Sequence, residues 1–572
     1  MSIRILIAVL VSLTFSGALI ASETPMSDFR LKQKMADDID FVRGIYDVRY
    51  APKEWKQSFS GWNLETATHT TLAEIEAMTE PSVRKYQRVF NQFIVAMKDY
   101  HVRARFYSTE TATLPFQVKG AEGKYFFVWI DREKLPSPSF PFNLGDEVVA
   151  LGDRPLGEVV AELKADMGGN TSETDQSLAE IFVTRRAASR AMTVPRGPVT
   201  LTVKPRGSDK DYLHEMIWDY TPELISGGGI ENTPVGLRAV QKSGEMSPKA
   251  WLDGKIAARS MAVPGMAEIL AESPQSASEN RFVPGTKRTF LPNLGLKLWE
   301  SDPAKSFHAY LFRNEQGKLV GYVRIPSYGA GENEAREFAS VMTYFQATTD
   351  SLVIDQFHNP GGSVFYLYSL VSMLTDQAFM APKHRMTITQ EDVAEAVMYQ
   401  PAFEKVKTDA EARALLGETL GGYPVSYEVA RFLVEFFRFE IAEWNAGRTT
   451  TKPYFLWGVQ RINPSPVVQY TKPVLLLTDE LDFSGGDFFP AILQDNKRVT
   501  ILGARTAGAG GYVLSQQYPN QFGVQLFTVT GSYAERLDLN PIENLGVKPD
   551  LPYQLTAADL QGGFQGLAQA VR

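Results

Sequence analysis

Apolar residues in the first hundred positions recur at helical spacing. Tyr86, Val89, Phe90, Phe93, Ile94 and Met97 fall on one face at i, i+3, i+4 and i+7 steps. The pattern predicts a helical N-terminal region ending near Asp99. From Leu114 to Leu201 the texture changes to short runs, FQVKG, YFFVWI, DEVVALGD and VTLTVKP, which read as strands and turns. Residues 225–290 contain Ser226-Gly227-Gly228-Gly229 and Ser273-Pro274-Gln275-Ser276-Ala277-Ser278, a composition that predicts an inter-domain insert with weak structure. From about Lys318 onward, apolar runs of buried-strand type (GYVRIPSY, SLVIDQF, PVLLLTDE, VTILGA) alternate with helical patterns at Phe365–Leu374 and Phe488–Gln494. Such alternation predicts a parallel or mixed α/β sheet. Residues 386–450 interrupt it as a helical insertion. Thr389 with Asp392 makes a capping-box start, and Ser426 opens a long apolar helix closed by Gly447.

The N-terminus has its own pattern. Arg4 supplies a basic region, Ile5 to Phe15 is apolar, and Ser16, Gly17, Ala18 and Ala21 are small. This is the layout of a secretory signal peptide, with cleavage expected after Ala18 or Ala21; an uncleaved anchor is the alternative. The mature chain is expected to be extracytoplasmic (periplasmic or secreted), with no stable membrane insertion.

Composition narrows the chemistry. The 572 residues allow three or four domains. Lys and Arg number 58 against 66 Asp and Glu, a net charge of −8, which argues against nucleic acid as the main partner. There are no cysteines, so disulfides, thiolate metal sites and a Cys nucleophile are excluded. Any histidine chemistry must use His69, His101, His214, His308, His358 or His384. No metal is required, no H-E-x-x-H cluster is present, and no cofactor is expected.

Two segments carry candidate chemistry. Thr478-Asp479-Glu480-Leu481-Asp482-Phe483-Ser484-Gly485-Gly486-Asp487 joins a strand to a helix. A serine at such a turn exposes its hydroxyl beside the unpaired N–H groups that begin the helix, donors suited to an oxyanion. Ser484 and Asp487 also satisfy an S-x-x-D capping box, so Ser484 reads equally as a plain N-cap. The second segment, Asp355-Gln356-Phe357-His358-Asn359-Pro360-Gly361-Gly362-Ser363, ends a buried strand in a sharp turn whose glycines allow close approach of a ligand. Alone, it is also an ordinary strand-to-helix turn.

Together the two segments resemble the S41 family of serine peptidases. Its members carry D-x-x-x-N-P-G-G, then a serine followed three residues on by an acid, then a G-x-x-T-x-G loop. Gly503-Ala504-Arg505-Thr506-Ala507-Gly508 matches the last. The string Leu144 to Asp153 looks like the turn and strand of PDZ domains, which also occur in that family. The resemblance spans most of residues 85–555. Bacterial members with a Ser–Lys dyad place the lysine 25 residues after the serine, where this chain has Ala509. Without a base a serine hydroxyl is a poor nucleophile. Another branch, which includes tricorn protease and the chlamydial protease-like activity factor type, uses Ser, His and Glu. Lys98-Asp99-Tyr100-His101 and Asn540-Pro541-Ile542-Glu543, shortly before Gly546-Val547-Lys548-Pro549-Asp550, match its pattern, closest to the activity-factor type.

The resemblance implies a multi-domain α/β (α+β) protein with a ClpP/crotonase-like α/β catalytic core, a PDZ-like module and an N-terminal helical region. Its expected divisions are a signal peptide at 1–21, a helical region at 22–110 carrying His101, a PDZ-like domain at 111–205, a linker or inhibitory insert at 206–290 and a catalytic core at 291–572. It implies a serine endopeptidase acting on polypeptide substrates. Ser484 would be the nucleophile, His101 the base and Glu543 its partner, with Gly485 and Gly361 or Gly362 as the oxyanion hole. His358 is a rival base. Relatives of the activity-factor type are made as self-cleaved zymogens, which by resemblance would give residues 225–290 an inhibitory role, and the family suggests a homodimer. A catalytically inactive peptide-binding protein and an esterase are the alternatives.

Overall fold

The computed structural model describes residues 28–224, 246–263 and 281–572, so the expected signal peptide lies outside the described residues. Four helices open the described chain: Asp28–Arg49, Lys53–Ser60, Leu64–Ala77 and Val83–Val95. Ser82 caps the fourth by accepting from the Lys85 N–H at 3.3 Å, and the helix buries the face formed by Tyr86, Val89, Phe90, Phe93 and Ile94. Those side chains share a core with Met35, Ile39 and Tyr46 of the first helix and with Phe522, Phe527 and Val529 near the far end of the chain. The strand Ala104–Phe106 pairs antiparallel with Val524–Thr530. The N-terminal helices are thereby fastened to the C-terminal third of the protein.

A sheet follows in the order Phe116–Ala121, Lys124–Ile130, Glu147–Leu151, Pro198–Lys204 and Tyr212–Ile217. The helices Leu156–Ala165 and Ser172–Val183 bury Leu156, Val160, Leu178 and Phe182 against it. The sheet runs past residue 205, where the sequence places the start of a linker. Tyr212–Ile217 pairs along its length with Pro198–Lys204, and Asp219–Thr221 returns to pair with Thr111–Thr113. As an edge strand it leaves Tyr212, Leu213 and Ile217 exposed, and His214 and Glu215 interrupt its apolar run, so it does not alternate as a half-buried strand does.

Residues 225–245 and 264–280 of the insert are outside the described residues. Between them the expectation of weak structure fails. Pro248–Ala258 is a helix, started by Ser247, whose hydroxyl accepts from the Ala250 N–H at 3.2 Å, with Pro248 in the first turn. Trp251 stacks on Tyr399 (ring centroids 4.5 Å apart) and packs against Phe437 (5.5 Å), so the helix finds its apolar partner in the 386–450 insertion. Composition could not reveal that partner because it lies some 150 residues away in sequence.

The largest sheet has seven strands, ordered Lys297–Glu300, Ala309–Arg313, Leu319–Arg324, Ser351–Asp355, Val474–Thr478, Thr500–Gly503 and Leu551–Pro552. The first three are antiparallel neighbours, and the pairings from Leu319–Arg324 onward are parallel. Helices Glu332–Thr348, Val364–Ser372 and Gly485–Asp495 connect the parallel strands. Parallel strands end on one side, and open sheets of this kind place ligands beyond their carboxyl ends. Both candidate segments lie there: the turn after Asp355 and the turn after Thr478.

Candidate active site

Ser484 sits between the strand Val474–Thr478 and the helix Gly485–Asp495, in a left-handed conformation with φ 56°. Its side chain is fully buried, and its Oγ has no hydrogen-bond partner among the described residues. Half of a capping box is present: the Ser484 N–H donates to Asp487 Oδ2 at 2.7 Å. The hydroxyl itself remains uncommitted. A non-glycine residue held at positive φ is costly, and such strain gathers at functional turns.

Asp487 does more than cap. Its carboxylate also accepts from the Thr506 hydroxyl (2.5 Å), the Gly508 N–H (2.8 Å) and the Ala509 N–H (2.9 Å). The acid three residues after the serine therefore binds the G-x-x-T-x-G loop to the serine turn, which gives the spacing a physical reason. Burial pushes its carboxyl up to about 6, against the pull of these donors.

The Pro-Gly-Gly turn is packed against the serine. Asp482 accepts from the Asn359 N–H (2.9 Å), the Asp479 N–H (3.0 Å) and Gln356 Nε2 (2.9 Å), and the Phe483 N–H donates to the Asn359 carbonyl at 2.8 Å. A Cβ on Gly361 would lie 2.8 Å from the Gly485 nitrogen, and one on Gly485 would lie 3.2 Å from the Gly362 nitrogen. The structure thus brings Gly361, Gly362 and Gly485 together. Their N–H groups are not equivalent, because that of Gly361 already donates to Asn359 Oδ1 at 2.9 Å. Of the N–H groups expected to form an oxyanion hole, this leaves those of Gly485, at the helix start, and Gly362.

The strand Met261–Ala262 lies on this turn, pairing antiparallel with Gly361–Gly362. The Val263 N–H donates to the Pro360 carbonyl at 3.2 Å. By the alternation of an antiparallel ladder, Met261 and Gly362 are then the hydrogen-bonded pair. The backbone of the insert therefore covers the donors of the turn.

His101 follows the fourth helix after a turn through Lys98, whose φ is 53°. Its imidazole is completely buried, and neither ring nitrogen has a partner among the described residues. Burial lowers its pKa to about 4, with Arg103 and Lys56 acting in the same direction and Asp99 against it. The ring is held as a neutral base. Its backbone is fixed by the His101 N–H donating to Asp99 Oδ1 (2.8 Å) and by its carbonyl accepting from the Thr528 hydroxyl (2.6 Å). Tyr100 packs edge-on against Phe483 with ring centroids 5.4 Å apart, so the residue before the histidine touches the residue before the serine.

Glu543 closes the group. Asp99, His101 and Glu543 each place a side-chain N or O atom within 4.8 Å of the others, and all three are buried. Glu543 Oε2 accepts from the Gly510 N–H at 2.9 Å, and Oε1 pairs with the ammonium of Lys56, also fully buried. Burial, with Asp99 beside it, pushes the Glu543 carboxyl up to about 7, and Lys56 opposes that rise. Three such ligands are spaced as for a metal ion. Here Lys56 already supplies a positive charge to Glu543. Asp99 is engaged by the His101 N–H, the Tyr50 hydroxyl (3.1 Å) and the Thr530 hydroxyl (2.8 Å). That donor set suits a proton relay better than a cation site.

His358, the rival base, faces elsewhere. Its Nε2 lies 3.2 Å from Asp479 Oδ2, and its ring packs against Phe282 and Phe290. Burial lowers its pKa to about 3. Ala509, at the position of the dyad lysine, is buried and offers only its N–H, to Asp487. Lys56 is the residue that sequence reasoning missed. Its one signal was a lysine on a short helix, indistinguishable from a solvated one.

Comparisons with known proteins agree with this architecture. A sequence profile described as peptidase family S41 matches residues 319–553, and a PDZ-domain profile matches residues 110–227. An uncharacterised protein of Chlamydia muridarum is 36% identical over 98% of this chain and 95% of its own length. A Chlamydia trachomatis protein is 35% identical over 96% of this chain and 93% of its own. The crystal structure of mature CPAF superposes with a TM-score of 0.80 at 32% identity, covering 95% of this chain and 96% of that one. Mature CPAF complexed with lactacystin gives 0.79 at 32% identity, over 95% and 98%. The chain belongs to peptidase family S41, in the CPAF-like group, and is a serine-type endopeptidase.

Proposed function

We propose that Ser484, His101 and Glu543 form a catalytic triad that hydrolyses peptide bonds through an acyl-enzyme. The observation that supports this reading is an uncommitted buried hydroxyl, strained at a helix start, and an uncommitted neutral imidazole with a carboxylate near it, the residues before the two being in ring contact. In the reaction Ser484 Oγ bonds to the carbonyl carbon while His101 takes its proton. The carbonyl oxygen gains charge facing the N–H groups of Gly485 and Gly362. His101 then delivers the proton to the leaving amine, and water, deprotonated by the same ring, releases the acid and regenerates the serine. Glu543 stabilises the imidazolium that forms between these steps.

The same reading makes the chain an exported zymogen. The motive is the strand Met261–Ala262, which lies over the donors a substrate carbonyl needs and leads into the stretch rich in Ser and Pro. Self-cleavage within residues 225–290 would free the turn. The mature enzyme is proposed to act as a homodimer outside the cytoplasm, and lactacystin, which CPAF binds, is proposed to compete for Ser484. Purified wild-type protein and Ser484→Ala should be incubated and followed by mass spectrometry and fluorophosphonate labelling. Wild type should cut itself within the insert, label, and lose the label to lactacystin. Ser484→Ala should do neither. A fully active, uncut wild-type chain would overturn the zymogen reading, and labelling that survives Ser484→Ala would overturn the triad.

A further inference from the structure

Lys56 is fully buried, a rare state for a lysine, and each of its donors has an acceptor. The ammonium contacts Glu543 Oε1, the Lys98 carbonyl at 2.7 Å and Asn544 Oδ1 at 2.8 Å. Two of these acceptors belong to residues held at positive φ, Lys98 at 53° and Asn544 at 64°. One leads into His101 and the other follows Glu543. Asn544 adds a direct tie, since its Nδ2 donates to the same Lys98 carbonyl at 2.8 Å, and Trp55 Nε1 donates to its oxygen at 2.9 Å. A short N-terminal helix thus grips both loops that bring the base and its carboxylate together.

The charges matter as much as the grip. Lys56, Asp99, His101 and Tyr50 surround Glu543, and Arg103 acts on the neighbouring His101. Asp99 and Glu543 bring two carboxylates to one buried group. Without an ammonium beside them, one would hold a proton, as close carboxylates in a dry site do. We propose that Lys56 is a positioning residue of the triad, one that favours the carboxylate form of Glu543 and fixes the gap between Glu543 and His101. This rests on the triad reading above. It assigns a working role to the N-terminal helices, which otherwise contribute only the histidine.

The sign of the effect is definite. Lys56 holds the Glu543 carboxyl down, and it also lowers His101. Removing its charge raises both, so the rise of activity with pH moves to higher pH. The measurement is the rate of fluorophosphonate labelling of Ser484 against pH, in the self-processed full-length enzyme, alongside thermal melting. Lys56→Gln keeps a hydrogen-bonding side chain and deletes the charge; its ascending limb should move up by about one unit or more. Lys56→Arg keeps the charge, and its limb should stay where the wild type has it even if the rate falls. A limb unmoved in Lys56→Gln, or displaced equally in Lys56→Arg, would show a merely structural lysine. Should Lys56→Gln fail to fold, the Lys56→Arg limb decides on its own, at the wild-type pH or displaced. Glu543→Gln separates the two levels of the argument. Unimpaired labelling in that variant overturns the triad, whereas impaired labelling with an unmoved Lys56→Gln limb overturns only the role of Lys56.

Discussion

Asp487 accepts four hydrogen bonds inside the site, from the N–H groups of Ser484, Gly508 and Ala509 and from the Thr506 hydroxyl. A carboxylate can accept all four, whereas an amide must turn an NH2 group toward donors. Asp487→Asn is therefore expected to destabilise the protein by about 2–3 kcal/mol, the scale of hydrogen bonds to a charged group. It should also slow labelling of Ser484, because the nucleophile's backbone loses its anchor. Urea unfolding and labelling rates check both, and normal values for both would return Asp487 to the status of an ordinary cap. Gly361 is the second decisive residue. Its φ is 90°, and an added Cβ would sit 2.1 Å from the Met261 carbonyl oxygen and 2.8 Å from the Gly485 nitrogen. Neither neighbour is a flexible side-chain end. Gly361→Ala should abolish labelling even where the chain remains folded, since the serine turn and the Pro-Gly-Gly turn would be forced apart; circular dichroism and labelling together test it.

Among the elements, the helix Pro248–Ala258 anchors the segment that leads to the strand lying on the Pro-Gly-Gly turn. It docks through Trp251 and Leu252 onto the 386–450 insertion, and three residues after its end the chain reaches Met261. Arg259 continues the anchor, lying over the rings of Trp457 and Tyr512 and beside Asp392 at 3.4 Å. Trp251→Ala removes a large apolar contact, worth about 3–5 kcal/mol in a rigid core and less where a helix can lift away. The expected outcome is faster self-processing with little change in the melting of the catalytic core, read by gel time course and calorimetry; slower processing would argue that the helix presents the cleaved bonds instead of guarding the site. The same element marks what the sequence could reveal. The core strands and the serine helix were legible because buried parallel strands are continuous apolar runs and their turns carry Asn-Pro-Gly-Gly and Ser-Gly-Gly. The strand Tyr212–Ile217 was not, since an edge strand keeps polar and exposed positions on both faces. The docking of Trp251 and the burial of Lys56 were not either, because both depend on partners distant in sequence, and a lone tryptophan or lysine has no periodicity to read.

At the scale of the whole molecule, buried histidines and buried carboxyls pull the acid stability in opposite directions. Burial lowers the pKa of His101 and His308 to about 4 and of His358 and His384 to about 3. In the unfolded chain each would titrate near 6.5. The folded protein therefore binds fewer protons than the unfolded one between these values. The stability these groups confer is fully present above pH 6.5 and is lost as pH falls toward the folded values. A fall from 6.5 to about 4 or about 3 corresponds to about 3–5 kcal/mol for each fully buried ring, and three such rings together approach the whole stability of a typical domain. Glu543 and Asp487 act with the opposite sign: their carboxyls are raised to about 7 and about 6, so their contribution is present at low pH and is lost as pH rises through those values. Glu440, raised to about 8, and Asp355, Asp479 and Asp482, also raised by burial, oppose the imidazoles in the same way, so the acid profile of the whole protein is a balance of the two sets. The imidazole share of that balance is what a single substitution reads, through urea midpoints between pH 6.5 and pH 4.5. His384→Phe tests the cause. His384 stacks flat on Phe488, with ring centroids 5.4 Å apart, and keeps one ring contact to the Ser532 hydroxyl at 3.2 Å. Replacing it by an aromatic hydrocarbon removes a titrating group while filling the space, so the variant's midpoint should decline less steeply on acidification than the wild type's. A variant that declines in parallel with the wild type would mean that acid sensitivity arises from surface carboxylates, and the buried rings would then be neutral bystanders.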